Sequence, residues 1–308
     1  MSEFVSSPGI DPPSPTLSAR LRELADYLAA PAAGRLTEEQ RALSLGIARR
    51  LVIDVAERLD PGINPEALWD GWLRGGLPCA ARLASLCFVR AEEHRWREQS
   101  AHRASPPPIL NATEGASADA PLVGEPLSDV DRAYLALQIA DRRRFDALGN
   151  PALAIADLDS ETFRTLLLDI AAWRLAEVSG NTDRAARLGE AVRIATERQA
   201  EEAGLDCAGQ SYYEAVGPAL PDAASDAIAR HNWPTLIALA AAARRRTYHD
   251  MAISLLTAES AALPSLFAPL RLDHIALAPL EASLAMLPAR AVADAGEAVF
   301  PMPDGSAR

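Results

Sequence analysis

The stretch TEEQRALSLGIARRLVIDVAERLD (Thr37–Asp60) decides the fold class. Thr37 followed three residues later by Gln40 is a capping box, in which the Thr oxygen and the Gln side chain each satisfy backbone N–H groups at a helix start. Leu43, Ile47, Leu51, Val55 and Leu59 then recur every four residues. That spacing puts them in one wide apolar stripe, the mark of an amphipathic helix. The same grammar extends in both directions. TLSARLRELADYLAA places Leu17, Leu21, Leu24 and Leu28 on one face. NPEALWDGWLRGG offers Asn64 as N-cap, Pro65 at the first helical position and Gly75 as the stop. PCAARLASLCFVRAEEHRWREQSAHR predicts a further helix that ends in a charged, polar half.

Composition agrees. The chain has 308 residues, 49% of them hydrophobic, which suffices for a sizeable core. Ala and Leu dominate and favour helix. Aromatic residues are few, and runs of Val, Ile and Thr are almost absent, which argues against an extensive sheet. Residues 1–15 are Ser- and Pro-rich and predicted disordered. Residues 16–103 form an N-terminal helical region. ASPPPILNATEGASADAPLVGEP (104–126) has a linker's composition. Residues 127–298 form a C-terminal helical domain, cut by seven prolines from Pro218 to Pro288 into helices of a few turns, and 299–308 is a tail. The expectation is an all-α protein, an irregular helical bundle or a HEAT-like stack of short helical pairs.

The chain contains no lysine; all 30 basic residues are arginine. This excludes a Walker-type phosphate loop, the protein-kinase strand lysine and Schiff-base chemistry. The net charge is −12 and uneven: residues 1–104 carry 13 Arg against 14 acidic residues, and residues 105–308 carry 17 against 28. Nucleic acid and anionic membrane are disfavoured as partners. Cys79, Cys87 and Cys207 make an odd number with no C-x-x-C, which points to a reducing compartment and a cytoplasmic location. MSEFVSSPGIDPPSP lacks the regions of a signal peptide, and no apolar run is long enough to insert into a bilayer.

The candidate chemistry is sparse. RRRTYHDMAISLL (Arg244–Leu256) holds a His-Asp dyad of the kind that helical metal phosphohydrolases use. Such a site would draw on His231, His249, Asp250 and Asp273. The competing expectation is a helix start, with Thr247 as N-cap, Asp250 at the third position and His249 exposed. The Arg142–Arg144 and Arg244–Arg246 triples each follow an apolar helical segment, where positive charge suits the carbonyl end. They read as solvated helix ends, with docking of an acidic partner or phosphate, through Arg244 and Arg245, as the functional option. ADLDSETF (Ala156–Phe163) offers Asp157, Asp159 and Glu161 but lacks the glycine and terminal glutamate of an EF-hand, so Asp159 or Ser160 is expected to cap a helix. His94, in a charged helical stretch, is the candidate for phosphotransfer, with a solvated histidine as the alternative. Cys79 and Cys87 fall on one helix face as small hydrophobes. No G-x-S-x-G, G-x-G-x-x-G or H-E-x-x-H occurs, and no catalytic or cofactor-binding residue is assigned.

SDVDRAYLALQIADRRRFDALGNPALAIADLDSETFRTLLLDIAAWRLA (Ser128–Ala176) combines a helix with polyarginine, an NPAL loop, an Asp-Leu helix start and a Trp-bearing amphipathic helix. This block, with the Leu36–Leu59 opening, resembles an alphaproteobacterial all-helical family described only as a domain of unknown function. The resemblance implies an all-helical, cytosolic, regulatory or scaffolding protein and carries no catalytic residues. The expected function is therefore a non-enzymatic protein-interaction module. Trp69 and Trp72, three apart on a short helix, are candidate anchors, weighed against a simple role in the core. An HD-type phosphohydrolase and a phosphotransfer adaptor are the alternatives.

Overall fold

The computed structural model describes residues 20–25, 36–101, 127–177, 182–288 and 290. The expected disordered start (1–15), linker (104–126) and tail (299–308) lie outside the described residues. Within them the protein is all-α, with no strand; Phe145 and Pro151 alone form an isolated β-bridge. The helices are α1 (residues 20–25), α2 (Glu38–Leu59), α3 (Pro65–Gly75), α4 (Ala80–Ala101), α5 (Asp129–Arg142), α6 (Ser160–Glu177), α7 (Thr182–Glu201), α8 (Leu205–Val216), α9 (Leu220–Ala229), α10 (Trp233–Arg244), α11 (Tyr248–Thr257), α12 (Leu263–Phe267) and α13 (His274–Ala285). Single 3-10 turns at Ile155–Asp157, Gly217–Ala219, Ser260–Ala262 and Ala268–Leu270 connect some of them.

The caps read from sequence form. Thr37 Oγ1 accepts from the Gln40 N–H at 3.2 Å, and the Gln40 side chain accepts from the Thr37 N–H at 3.1 Å. Asn64 Oδ1 accepts from the N–H groups of Glu66 and Ala67 ahead of Pro65. Asp159 caps α6 by accepting from the Thr162 N–H at 2.8 Å.

Two apolar cores result, and they do not follow the order of the chain. The first joins Ile47, Leu51 and Val55 of α2, Leu68 of α3 and the start of α4 to Phe163, Leu166 and Ile170 of α6 and Leu188 of α7. The second is built from α8 to α13, with Leu137 of α5 and Val89 and Trp96 of α4. Helix α4 therefore belongs to both, and α6 and α7 reach back into the first core from beyond residue 126. Helix α10 lies at the centre of the second core, buried continuously from Trp233 to Ala241. It sits close to α8: a Cβ at Gly209 would stand 2.9 Å from Ala238 Cβ, so glycine is what permits the approach.

Trp96 and Trp233 stack at 4.3 Å between ring centroids. Their indole N–H groups donate to Ser283 Oγ (2.7 Å) and Ser100 Oγ (2.9 Å). Buried Trp N–H groups need such partners, and these fix α4 against α10 and α13.

Candidate functional site

The proposed metal ligands take separate, local roles. Thr247 caps α11, accepting from the Asp250 N–H at 3.0 Å, and Asp250 is exposed. His249 departs from the expected exposure: it is half-buried, and its Nε2 lies 2.9 Å from Ser85 Oγ of α4. Burial, relieved only in part by Asp250, lowers its pKa. His231 stacks on Trp233 at 5.2 Å, and Asp273 caps α13. Among the described residues no three His, Cys, Asp or Glu side chains stand together as an ion would require.

The other nominated residues are also tied down. Trp69 and Trp72 are 5% and 9% exposed and pack in the first core, so they form no docking surface. Cys87 is buried, whereas Cys79 precedes α4 with a positive φ of 53°. Arg244 donates to the carbonyls of Leu266 (2.7 Å) and Ser265 in the last turn of α12. Arg245, in the left-handed conformation that ends α10, lines a cleft of about 310 Å³ with Asp206, Gln210, Arg246 and Tyr248. His94 is not solvated: it tucks against the Phe145 ring at 6.2 Å, with Nε2 3.3 Å from Glu98. Burial lowers its pKa, with Arg90 and Arg97 adding to the effect and Glu98 opposing it.

Reading Arg142–Arg144 as a solvated helix end holds for its first two members and fails for the third. Arg144 is buried and forks onto Glu93, which has no exposed surface, with N–O distances of 2.9 and 2.6 Å. Tyr248 donates its hydroxyl to the same carboxylate at 2.9 Å, and Arg144 lies 4.9 Å from that ring's centroid. Arg90, buried beside them, donates to the carbonyls of Ala152 (3.1 Å) and Arg144 (2.8 Å). Arg97 binds Asp141 at 2.8 Å, and the Arg90 and Arg97 guanidiniums lie 4.7 and 5.0 Å from the centre of the Phe145 ring.

Burial alone would raise the Glu93 pKa. The Arg144 and Arg90 charges and the Arg144 hydrogen bonds outweigh it and lower the pKa to about 2. Burial, reinforced by the Arg144 charge, lowers Arg90 to about 10. At neutral pH Glu93, Arg90 and Arg144 are all charged inside the fold. The cluster joins α4, the end of α5 and the start of α11. It has the chemistry of a lock, since its carboxylate is fully engaged by donors and holds its proton too weakly for general acid work.

The lock also anchors the next turn of chain. Asp146 accepts from the Leu148 and Asn150 N–H groups, the Asn150 side chain and Arg50 Nε, at 2.8 to 3.0 Å. Gly149, with φ of +85°, completes a loop that carries Leu148 at its tip, 89% exposed.

An apolar recess lies elsewhere on the described surface, between α6 and α7. It encloses about 350 Å³ and is lined by Leu168, Ala171, Ala172, Leu175, Ala185, Leu188, Gly189 and Val192. The lining mixes large side chains, Leu168, Leu175, Leu188 and Val192, with small ones, Ala171, Ala172, Ala185 and Gly189. Sequence reading missed this site. The available signal was that α6 has more apolar residues than one face can bury: Phe163, Leu166, Leu167 and Ile170 point into the core, while Leu168 and Leu175 remain half-exposed outside it.

No family model, curated protein or solved structure matches this chain. Among the described residues no helix is long and apolar enough to cross a membrane.

Proposed function

We propose that this protein is a non-catalytic helical interaction module that receives an amphipathic helix of another protein in the groove between α6 and α7. The observation that carries the reading is the hollow at Ala172 and Gly189. A glycine inside a helix costs about 0.5–1 kcal/mol relative to alanine. Gly189 has no positive φ to require it, and a Cβ there would meet nothing within 4 Å. The fold gains nothing from its missing side chain; an open groove does.

Leu168 and Leu175 are seven residues apart, about 10 Å along the helix at 1.5 Å per residue. A partner helix crossing that length presents two or three apolar side chains at i, i+3 or i+4, and i+7, the usual helix-in-groove recognition. The central side chain enters the hollow as a knob enters the space between facing residues. The polar groups that suggested catalysis stand apart from the groove and from one another: Asp273 caps α13, His249 lies against Ser85, His231 stacks on Trp233 and His94 lies beside Glu98.

The test fills the hollow. A photo-crosslinking residue at Ala172 is expected to trap one stoichiometric partner in the native cell, and Gly189→Leu is expected to abolish that product while leaving thermal unfolding within a degree or two of wild type. A product that survives Gly189→Leu, or a crosslink only to a second copy of this chain, would show that the groove does not serve another protein.

A further inference from the structure

We infer that the outer face of α5, with the loop that follows it, is a second docking surface, fitted to an acidic amphipathic segment of another protein. It is independent of the α6–α7 groove and rests on different residues.

The inner face of α5 is accounted for: Leu137 and Ala140 are buried, and Ala133 and Tyr134 pack against the second core. At 100° per residue, Leu135, Ile139, Arg142 and Arg143 fall within a stripe about 100° wide on the opposite side. Leu135 and Ile139 are 49% and 47% exposed, one turn apart. Arg142 and Arg143 are exposed, and neither side chain makes an ion pair or hydrogen bond with the described residues. Arg164, Arg198, Arg245, Arg246 and Arg271 are likewise without an ion pair or side-chain hydrogen bond among the described residues, so what sets Arg142 and Arg143 apart is the apolar pair on the same stripe. Arg90, Arg97 and Arg144, immediately beneath them, are all engaged. The negative end of the α5 dipole accounts for some positive charge here. It does not account for the apolar ridge that leads up to it.

The following loop adds an apolar tip, Leu148, which Asp146 and Arg50 hold in place. A surface fixed before binding loses little entropy when it binds, so a tip of this kind adds affinity. Two apolar positions one turn apart, then two cations, then a leucine on a loop whose backbone is pinned call for a partner with apolar side chains at i and i+4 followed by carboxylates. Nucleic acid fits less well. The patch offers two cations on a molecule of net charge −12, and no aromatic platform.

The experiment pans the full chain against a library of random 14-residue helical peptides, then measures winners by fluorescence polarisation. Winners are expected to carry an i, i+4 apolar pair with clustered Asp or Glu. They should weaken at least tenfold against Arg142→Glu/Arg143→Glu and against Leu135→Ser/Ile139→Ser, and weaken with added salt. They should bind Gly189→Leu as they bind wild type, which separates this surface from the groove. All three variants change exposed residues, and circular dichroism checks that each is folded. Winners without acidic bias, or with equal affinity for the charge-reversed variant, would overturn the inference. So would self-association of wild type that these variants abolish, or a stretch of single-stranded DNA that competes with the winners.

Discussion

Helices α4 and α10 are each buried through long continuous stretches, Cys87 to Glu93 in one and Trp233 to Ala241 in the other, with opposite chemistry. Helix α10 does it with Trp, Pro, Leu, Ile and Ala and one threonine, so apart from the Trp233 N–H and Thr235 its burial asks mainly for apolar neighbours. Helix α4 does it with Arg90, Glu92 and Glu93 among its buried residues, followed by Arg95, and each of these needs a particular partner from another element. Arg144 and Tyr248 serve Glu93, while Gln40 and Arg95 serve Glu92. Apolar burial tolerates approximate neighbours, whereas ionic burial specifies them and fails when one is missing.

The sharpest way to break this comparison is to remove one side of the α4 lock. Glu93→Ala leaves Arg144 buried without its carboxylate and is expected to destabilise by about 3–5 kcal/mol in denaturant unfolding. The paired change Glu93→Leu/Arg144→Met should recover much of that loss, because replacing a whole buried ion pair with apolar side chains is often close to neutral. If the double change is as damaging as the single one, the cluster's worth lies in packing and not in charge.

The equivalent insult to α10 is steric. Gly209→Ala forces a Cβ to 2.9 Å from Ala238, and overpacking of this kind is expected to cost about 1–3 kcal/mol. A shift in helix position in a crystal structure of that variant, with little change in stability, would show that the α8–α10 contact yields more easily than the lock.

Acid probes the lock without mutation. The folded Glu93 carboxyl, at about 2, binds its proton less readily than the unfolded one near 4.5. The stability it contributes is therefore complete above about pH 4.5 and is lost as the pH falls toward 2. Burial raises Asp157 and Glu92, which act in the opposite sense, so the Glu93 contribution is the difference between wild type and Glu93→Gln. The wild-type curve should fall more steeply across that window; parallel curves would remove the carboxylate from the account.

Two smaller effects follow. Thr247→Ala removes the α11 cap and should cost about 1 kcal/mol. A loss several times greater would mean that the start of α11 also sets the position of Tyr248 in the lock. Gly189→Ala should stabilise by about 0.5–1 kcal/mol, since the new methyl group meets nothing. Destabilisation by this substitution would mean that the glycine serves the fold and not the groove.

The same contrast explains what could be read in advance. The caps at Thr37, Asn64, Asp159 and Thr247 are local chemistry over three residues, and all four form. Helix α10 announces itself as an apolar run. The stretch AEEHRWREQ, by contrast, reads as a wetted face because its partners lie roughly 50 to 150 residues away, where no local pattern records them. Arg90, Glu93 and Arg97 do share a stripe at three- and four-residue spacing, and that stripe includes Trp96's neighbourhood. Charge at helical spacing beside a buried tryptophan was the clue. The arginine triple held another: three successive residues on a helix point in different directions, so one of them could turn inward while two stay in solvent. The groove was less legible still, since it arises only when α6 and α7 are laid side by side.

Because α4 is common to both cores, the two halves of the chain are not separable parts. A chain cut between Ala101 and Leu127 would yield one fragment without α6 and α7 to cover its leucines and another without Trp96 to stack on Trp233. Neither should fold by itself, yet mixed together they should recover the native assembly. Duplication or exchange of either half in a lineage would then be fruitless unless the other travelled with it.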